Sequence, residues 1–401
     1  MTSVDMHETS AVPARETASA QRRDMTVASL VITVGRSPAD FAEWPRTDRL
    51  GEARCHVFQC ADILDIWIDT IGRARSISVH CVGVHDAAGR PVMLLALGIE
   101  RKRGVRVLGF LDGSVSDYCQ PVLFPPSADI DPGMAGEIWA RIQTALPHFD
   151  IAVLDKMPPE VGDLPNPLIH LGAVLMPEAG HVMSLHGSRA EVEGRIPASK
   201  RHKRYQRQLM KERTVSFSAA DTTDMANVYF DAMVVNKTRR FAETRVPGFE
   251  LPGKLEFFRE ATRRLPQLAP VHLSAVQADA EIIASHWGLV MGDRFYFLMT
   301  AYADGTWRKF SPGRILNDEL ILWCHANGYR WFDFGIGNED YKYEYCDVTI
   351  PLYEARIPVT WLGRLSLRAG AFLAWLRTLT VWQRLRPYKW ALMRRFAKKP
   401  D

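Results

Sequence analysis

The stretch Phe332-Asp333-Phe334-Gly335-Ile336-Gly337-Asn338-Glu339-Asp340-Tyr341-Lys342 sets a carboxylate inside an apolar run, then two glycines, then an acid, a phenol and an amine. Strand alternation puts Trp331, Asp333 and Gly335 on one face and Phe332, Phe334 and Ile336 on the other. An unpaired carboxylate is costly to bury, so Asp333 needs a partner or a task. At the strand's C-terminal end Glu339, Tyr341 and Lys342 have the chemistry to deprotonate an amine or hydroxyl nucleophile, protonate a leaving thiolate and neutralise a phosphate or oxyanion. The glycines let a ligand pass close, but the run is no dinucleotide fingerprint, because Asp340 stands where its third glycine would fall.

Upstream, Ser311-Pro312-Gly313-Arg314 opens a helical pattern that Asn327-Gly328 closes. A helix start presents unpaired N–H groups and partial positive charge, which suits a pyrophosphate. A cation in the first turn opposes the dipole unless an anion sits nearby, so Arg314 points the same way. His286, in Ala284-Ser285-His286-Trp287-Gly288, falls on a strand expected near the one bearing Asp333, and meeting a carboxylate would make it a base.

These residues need a scaffold, and the pattern describes one twice. From residue 59 a helix, the strands SISVHCVGV, PVMLLALGIE and VRVLGFLDG, an Asp131-Pro132-Gly133 loop, a helix and the strand FDIAVLD follow one another. Later come VHLSAVQAD, EIIASHWGLVM and RFYFLMTAYA with Gly292-Asp293 as a hairpin turn, then Ser311-Pro312-Gly313, a helix and RWFDFGIG. Asp131-Pro132-Gly133 answers to Ser311-Pro312-Gly313, and Phe149-Asp150 to Phe332-Asp333, which predicts a duplicated module. The fold class expected is α+β, two tandem modules with mostly antiparallel sheets flanked by helices, in the layout of the GCN5-related N-acyltransferases. The divisions expected are a flexible leader at 1–26, modules at 27–180 and 181–358, and a basic, Trp-rich helical tail at 359–401.

At 401 residues the chain is long enough for two domains, and its 47% hydrophobic and 24% charged content is that of a folded soluble protein. No apolar run reaches bilayer-spanning length, and the six cysteines contain no C-x-x-C pair, so a cytoplasmic setting without zinc or a disulfide framework is expected. Residues 355–401 carry eleven Lys or Arg against the single acid Asp401, with Trp361, Trp375, Trp382 and Trp390 among them. That composition suits an interfacial helix on anionic lipid, a docking segment for a membrane-bound partner, or a helix pair covering the domain edge. The basic run 199–213 suits either a solvated helix face or an acidic ligand.

Taken in order and spacing, Ala284-Ser285-His286-Trp287-Gly288-Leu289, Ser311-Pro312-Gly313-Arg314 with Leu316, and Phe332-Asp333-Phe334 with Gly337, Glu339, Tyr341-Lys342 and Cys346 resemble the CelD/BcsL-type acetyltransferases of cellulose and exopolysaccharide biosynthesis. The resemblance implies a GCN5-related fold, acetyl-CoA or another acyl-CoA as donor, no metal, and a bacterial cytoplasmic setting at the inner membrane. It implies a sugar or sugar-nucleotide acceptor, with no DNA partner. Such proteins also look like distant relatives of enzymes that take aminoacyl groups from tRNA to build peptidoglycan bridges. Two departures stand out: the family has Thr where this chain has Gly335, and its acidic-proline step is Glu339-Asp340 here.

The expected roles follow. Ser311, Pro312, Gly313 and Arg314 hold the pyrophosphate; Asp333 or His286, or the two together, act as base; Tyr341 protonates the thiolate; Glu339 and Lys342 position substrate. The first module, lacking a Tyr-Lys counterpart after FDIAVLD, is expected to be non-catalytic and to shape the acceptor cleft. Two other functions fit the same residues: an aminoacyl-tRNA-dependent transferase, and an inactive adaptor of a polysaccharide synthase.

Overall fold

The computed structural model describes residues 26–197, 199–244, 247–264 and 270–378. The expected leader, but for residue 26, and the tail beyond residue 378 lie outside the described residues.

Alternating and β-branched runs form β1 Val31–Gly35, β2 Ser78–His85, β3 Pro91–Lys102, β4 Val105–Phe110 and β5 Ile151–Met157 in the first half. The second half contributes β6 Gly180–Ser184, β7 Val215–Ala219, β8 Val271–Ala278, β9 Glu281–Met291, β10 Arg294–Tyr302, β11 Trp331–Ile336, β12 Val348–Ile350 and β13 Tyr353–Pro358. The helices used below are α1 Ala61–Trp67, α2 Pro132–Ala145, α3 Arg189–Arg195, α4 Lys200–Glu212, α5 Thr223–Thr244, α6 Lys254–Arg263, α7 Pro312–Ala326, α8 Asp340–Tyr345 and α9 Trp361–Thr378.

Two mixed sheets result, as the α+β reading expects. The first runs β1-β2-β3-β4-β5-β13 and ends on the two-residue strand Val174–Leu175; the second runs β7-β8-β9-β10-β11-β6-β12. In each, one parallel pair interrupts antiparallel neighbours: β4 with β5, and β10 with β11. The predicted hairpin turn at Gly292-Asp293 joins β9 to β10. β13, expected in the second half, instead pairs with β5 and extends the first sheet.

Register corrects one equivalence. Val107 to Gly109 pair with Ile151 to Val153, whereas Arg294 to Tyr296 pair with Trp331 to Asp333, so Val153 and not Asp150 is the counterpart of Asp333. Asp150 precedes its strand and accepts from the Arg106 N–H (2.8 Å) and the Thr360 hydroxyl (2.8 Å).

The largest core joins the halves. Trp67, Tyr118 and Phe58 of the first pack with Phe257, Trp287 and Tyr296 of the second in one buried cluster. Burying that much aromatic surface across the seam favours one rigid body over two hinged ones.

Candidate active site

β10 and β11 pair only from Arg294–Trp331 to Tyr296–Asp333. Beyond that point β10 stays beside β9 while β11 continues along β6, so the sheet opens between them. An opened pair leaves backbone groups on the strand edge in need of partners. Two side chains of α5 supply them: Lys237 Nζ donates to the Thr300 carbonyl (3.1 Å) and Arg239 to the Tyr302 carbonyl (2.8 Å).

α7 begins beside this mouth, and the helix start expected at Ser311-Pro312-Gly313 is reached by another route. Ser311 is left-handed (φ 54°, ψ 56°), so its side chain caps nothing, and its carbonyl instead receives the Arg314 N–H (2.9 Å). Gly313 lies against the Tyr302 ring. Around Tyr302 a small cavity is lined by Arg239, Arg240 and Arg308, with Asn236, Asp304 and Glu243, whose carboxylate pairs with Arg239 and Arg240 (both 3.5 Å). Three guanidinium groups against the two carboxylates of Glu243 and Asp304 leave a net positive charge close to the first turn of a 15-residue helix, which suits a diphosphate once the Glu243 pairs open.

Arg314 does not join them. It donates to the Pro197 carbonyl (2.7 Å), pairs with Glu344 (3.2 Å) and lies over the Tyr345 ring, on the side of α7 that meets α8. Its first-turn position is thus balanced by a carboxylate of the protein itself.

Asp333 is fully buried and has three partners. It accepts from Tyr118 Oη (2.9 Å), Arg294 Nη1 (2.8 Å) and the Gly335 N–H (2.8 Å). Tyr118 in turn stacks on His56 (4.3 Å between centroids), whose Nδ1 meets Tyr296 Oη (3.1 Å). The expected meeting of Asp333 with His286 does not occur, because β10 lies between their strands. His286 is fully buried, stacks on Phe297 at 4.6 Å, and neither ring nitrogen has a partner. Burial, with His272 beside it, holds its pKa well below the usual range, so it stays neutral.

The strand's alternation holds through Phe334 and then breaks. Phe332 and Phe334 enter the aromatic core under α7, but Gly335 is left-handed (φ 70°), which turns Ile336 toward the core at the seam. A side chain at 335 would overlap the carboxylate of Asp117, which comes from the first half and fills that space. Thr, the residue of the family resembled, would collide there.

Asp117 is the group that sequence reasoning missed. Burial raises its pKa to about 7; Lys156 opposes the shift, Asp333 adds to it, and Lys342 and the Ile336 N–H oppose it. Lys156 holds Asp112 (3.1 Å) and the Ser116 carbonyl (2.8 Å), and it does so from a left-handed backbone (φ 56°) inside a strand. On the other side Lys342, 3% exposed, bonds the carbonyls of Ile336 (2.7 Å) and Gly335 (3.3 Å) and pairs with Glu339 (3.1 Å). Tyr341 rests edge-on against Phe334, and burial, with Glu339 nearby, pushes its phenol up, keeping it protonated. Burial, then Lys254 and Arg240, lowers Lys237 to about 8 despite Glu339.

Glu339, Tyr341 and Lys342 lie together after the end of β11, within electrostatic reach of Asp117, which also couples to Lys156, and Glu339 couples to Lys237. Carboxylate, phenol and ammonium groups lie between a cationic mouth and the first module, an arrangement suited to proton transfer around a carbonyl. Among the described residues no group of three or more His, Cys, Asp or Glu is placed to hold a metal ion.

No curated protein matches the chain. Among solved structures it is similar to one titled "Crystal structure of FemX" (TM-score 0.48, 10% identity, 75% of this chain and 92% of the other). It is likewise similar to the C-terminal domain of a lysylphosphatidylglycerol synthetase, so described, from Agrobacterium fabrum (TM-score 0.45, 12% identity, 78% and 97%). A third is the tandem GNAT protein from the clavulanic acid biosynthesis pathway (TM-score 0.46, 11% identity, 82% and 99%). The model of the Acetyltransferase (GNAT) domain family matches residues 198–343, the segment that holds α5, the opened strand pair, α7 and most of α8. The chain carries an acyltransferase domain of the GNAT type.

Proposed function

We propose that the protein transfers an acyl group from acyl-CoA, acetyl-CoA in the simplest case, to an amine or hydroxyl of a sugar or sugar nucleotide used in cellulose or exopolysaccharide biosynthesis. The observation that carries the donor is the mouth of the opened strand pair, where Arg239, Arg240 and Arg308 surround Tyr302 beside the first turn of α7. In this reading residues 181–358 form the catalytic module and 27–180 the acceptor module, which also lends Asp117 to the reaction.

The acceptor's N–H or O–H gives its proton to the Asp117 carboxylate as the heteroatom bonds to the thioester carbon. The tetrahedral intermediate then expels the CoA thiolate, which takes the proton of the Tyr341 hydroxyl, and protonated Asp117 and solvent restore the phenol. Lys342 holds the end of β11 and contributes positive charge; Glu339 orients Lys342. Asp333, saturated by three partners, is structural in this scheme, and so is His286.

Calorimetric titration of acetyl-CoA tests the donor site. Arg308→Glu is expected to weaken binding by roughly tenfold or more, the value of one lost charge-assisted contact. Arg314→Glu, whose side chain faces α8, is expected to leave it nearly unchanged. No binding by the wild type would move the reading to an aminoacyl-tRNA donor, for which α4 offers Lys203, Arg204, Arg207 and Lys211 on an exposed face. That donor requires RNA binding that falls steeply with salt.

The same reading places the enzyme at a membrane surface through residues 359–401. α9 turns its small side inward, with Gly363 against the Asp150 backbone, and its bulk outward: Trp361, Leu365, Phe372 and Trp375 are 53–72% exposed. At 100° per residue the four fall within an arc of about 80°, with Arg364 and Arg368 beside them. Among the described residues no helix is long and apolar enough to cross a membrane. Co-sedimentation with phosphatidylglycerol vesicles is expected for the wild type and lost in Trp361→Glu/Phe372→Glu. Equal binding by both would dismiss α9 as the contact.

A further inference from the structure

The first sheet has one face covered by α2, through Leu95, Leu97, Leu108, Ala152 and Leu154, and another that is only partly covered. Where the seam core stops, that second face leaves a groove of about 740 Å³ along β3, β4 and β5, walled by the α1 side and by α9. Its floor is Val105, Val107 and Val153, flattened by Gly98 and Gly109, which contribute no side chain.

The walls are polar and balanced in charge. Arg75 grips Glu100 through two hydrogen bonds (2.9 and 2.6 Å), and Lys102 pairs with the same carboxylate (3.2 Å). Arg103 and Asp155 also line the groove, with no side-chain hydrogen bond or ion pair among the described residues. The indole N–H of Trp67, a residue 2% exposed, is buried without an acceptor and lies against Gly113 in the wall.

An apolar floor between alternating donors and acceptors, with no net charge excess, fits a neutral polyhydroxylated chain. With Arg75, Lys102 and Arg103 matched by Glu100, Asp112 and Asp155, the lining offers no excess of positive charge to a phosphorylated ligand, and the charged walls disfavour an acyl chain. A line of polar contacts runs from the groove toward the reaction centre: Asp112 at its end holds Lys156 (3.1 Å), which couples electrostatically to Asp117 beside Gly335. We infer that this groove binds the acceptor as an oligosaccharide, its C–H faces on Val105, Val107 and Val153 and its hydroxyls on Asp155 and Arg103, with one end directed toward Asp117. The inference rests on the acyl-transfer reading and narrows its acceptor from a free sugar nucleotide to a glycan chain.

The test uses the full chain, calorimetry and saturation-transfer NMR with cellotetraose, chitotetraose and maltotetraose, and two variants. Val105→Trp fills the groove from a partly exposed strand position, and Asp155→Asn removes a carboxylate isosterically. At least one tetrasaccharide is expected to bind the wild type at millimolar concentration, at least tenfold more weakly to Val105→Trp, and detectably more weakly to Asp155→Asn. Acetyl-CoA binding should be equal in all three, and in turnover Val105→Trp should raise KM for the saccharide with kcat unchanged. No tetrasaccharide binding, or binding indifferent to Val105→Trp, overturns the groove even where acetyl-CoA binds and a monosaccharide is acylated. Groove-dependent saccharide binding without acetyl-CoA binding or transfer would retain the site and remove the acyl-transfer reading instead.

Discussion

Asp333→Ala is expected to destabilise the protein by about 3–5 kcal/mol, the cost of leaving one member of a buried ion pair alone. The pair is buried unevenly: Asp333 is 0% exposed and Arg294 23%, so the stranded guanidinium keeps little water. The alanine also orphans Tyr118 Oη and the Gly335 N–H, each a further loss. Because Tyr118 belongs to the first half and Arg294 to the second, the loss should lower one shared urea transition. Denaturation followed by tryptophan fluorescence, with limited proteolysis to report each half, would read it. Tyr118→Phe, which removes only the hydroxyl, should cost about 1 kcal/mol. A drop of less than that for Asp333→Ala would show that the network is dispensable, and Asp333 would regain its claim to a role in the chemistry.

What the sequence made legible was local. The Gly292-Asp293 turn, the two helices opening on Asp131-Pro132-Gly133 and Ser311-Pro312-Gly313, and the strand through Asp333 each follow from spacing within a dozen or so residues. What it hid depends on contacts across the chain. Asp333 announced that it needed a partner, but of its three, Arg294 lies 39 residues away and Tyr118 215. Asp117 gave no signal, since one acid in the loop SVSDYCQ looks like a solvated turn until Gly335 is seen to make room for it. Arg314 was expected to face the ligand because helix position fixes proximity to the terminus; it does not fix azimuth, and that azimuth faces Glu344. Residues 353–358 were expected in the second half because they follow it in sequence, but sequence position does not fix which sheet a strand joins, and as β13 they extend the first.

Asp117→Asn separates a catalytic carboxylate from a structural one, because the two roles predict opposite movements of activity and stability. As general base, Asp117 should contribute roughly 10²–10⁴-fold to the rate, and the asparagine variant should lose that much in kcat with acetyl-CoA binding intact. With a pKa near 7, the wild type should gain activity as pH rises through that value, and the variant should lose that limb of the profile. Stability should move the other way. A carboxyl whose folded pKa is raised binds more protons folded than unfolded between the ordinary carboxylate range and about pH 7, so it makes folding stability fall as pH rises across that window. Asparagine carries no such proton, so the variant should be flat there and more stable than the wild type at pH 8. Lys156, Lys342, Asp333, Tyr118, Cys119 and Tyr341 all face or couple to Asp117, and Lys156 and Lys342, held by several bonds of their own, keep their places without it. A variant that is slower and also less stable at pH 8 would mean that the carboxylate pins the two halves together, and the base would have to be sought elsewhere in the cleft. Slower and more stable is the signature of a charge kept at the protein's expense for the reaction it performs.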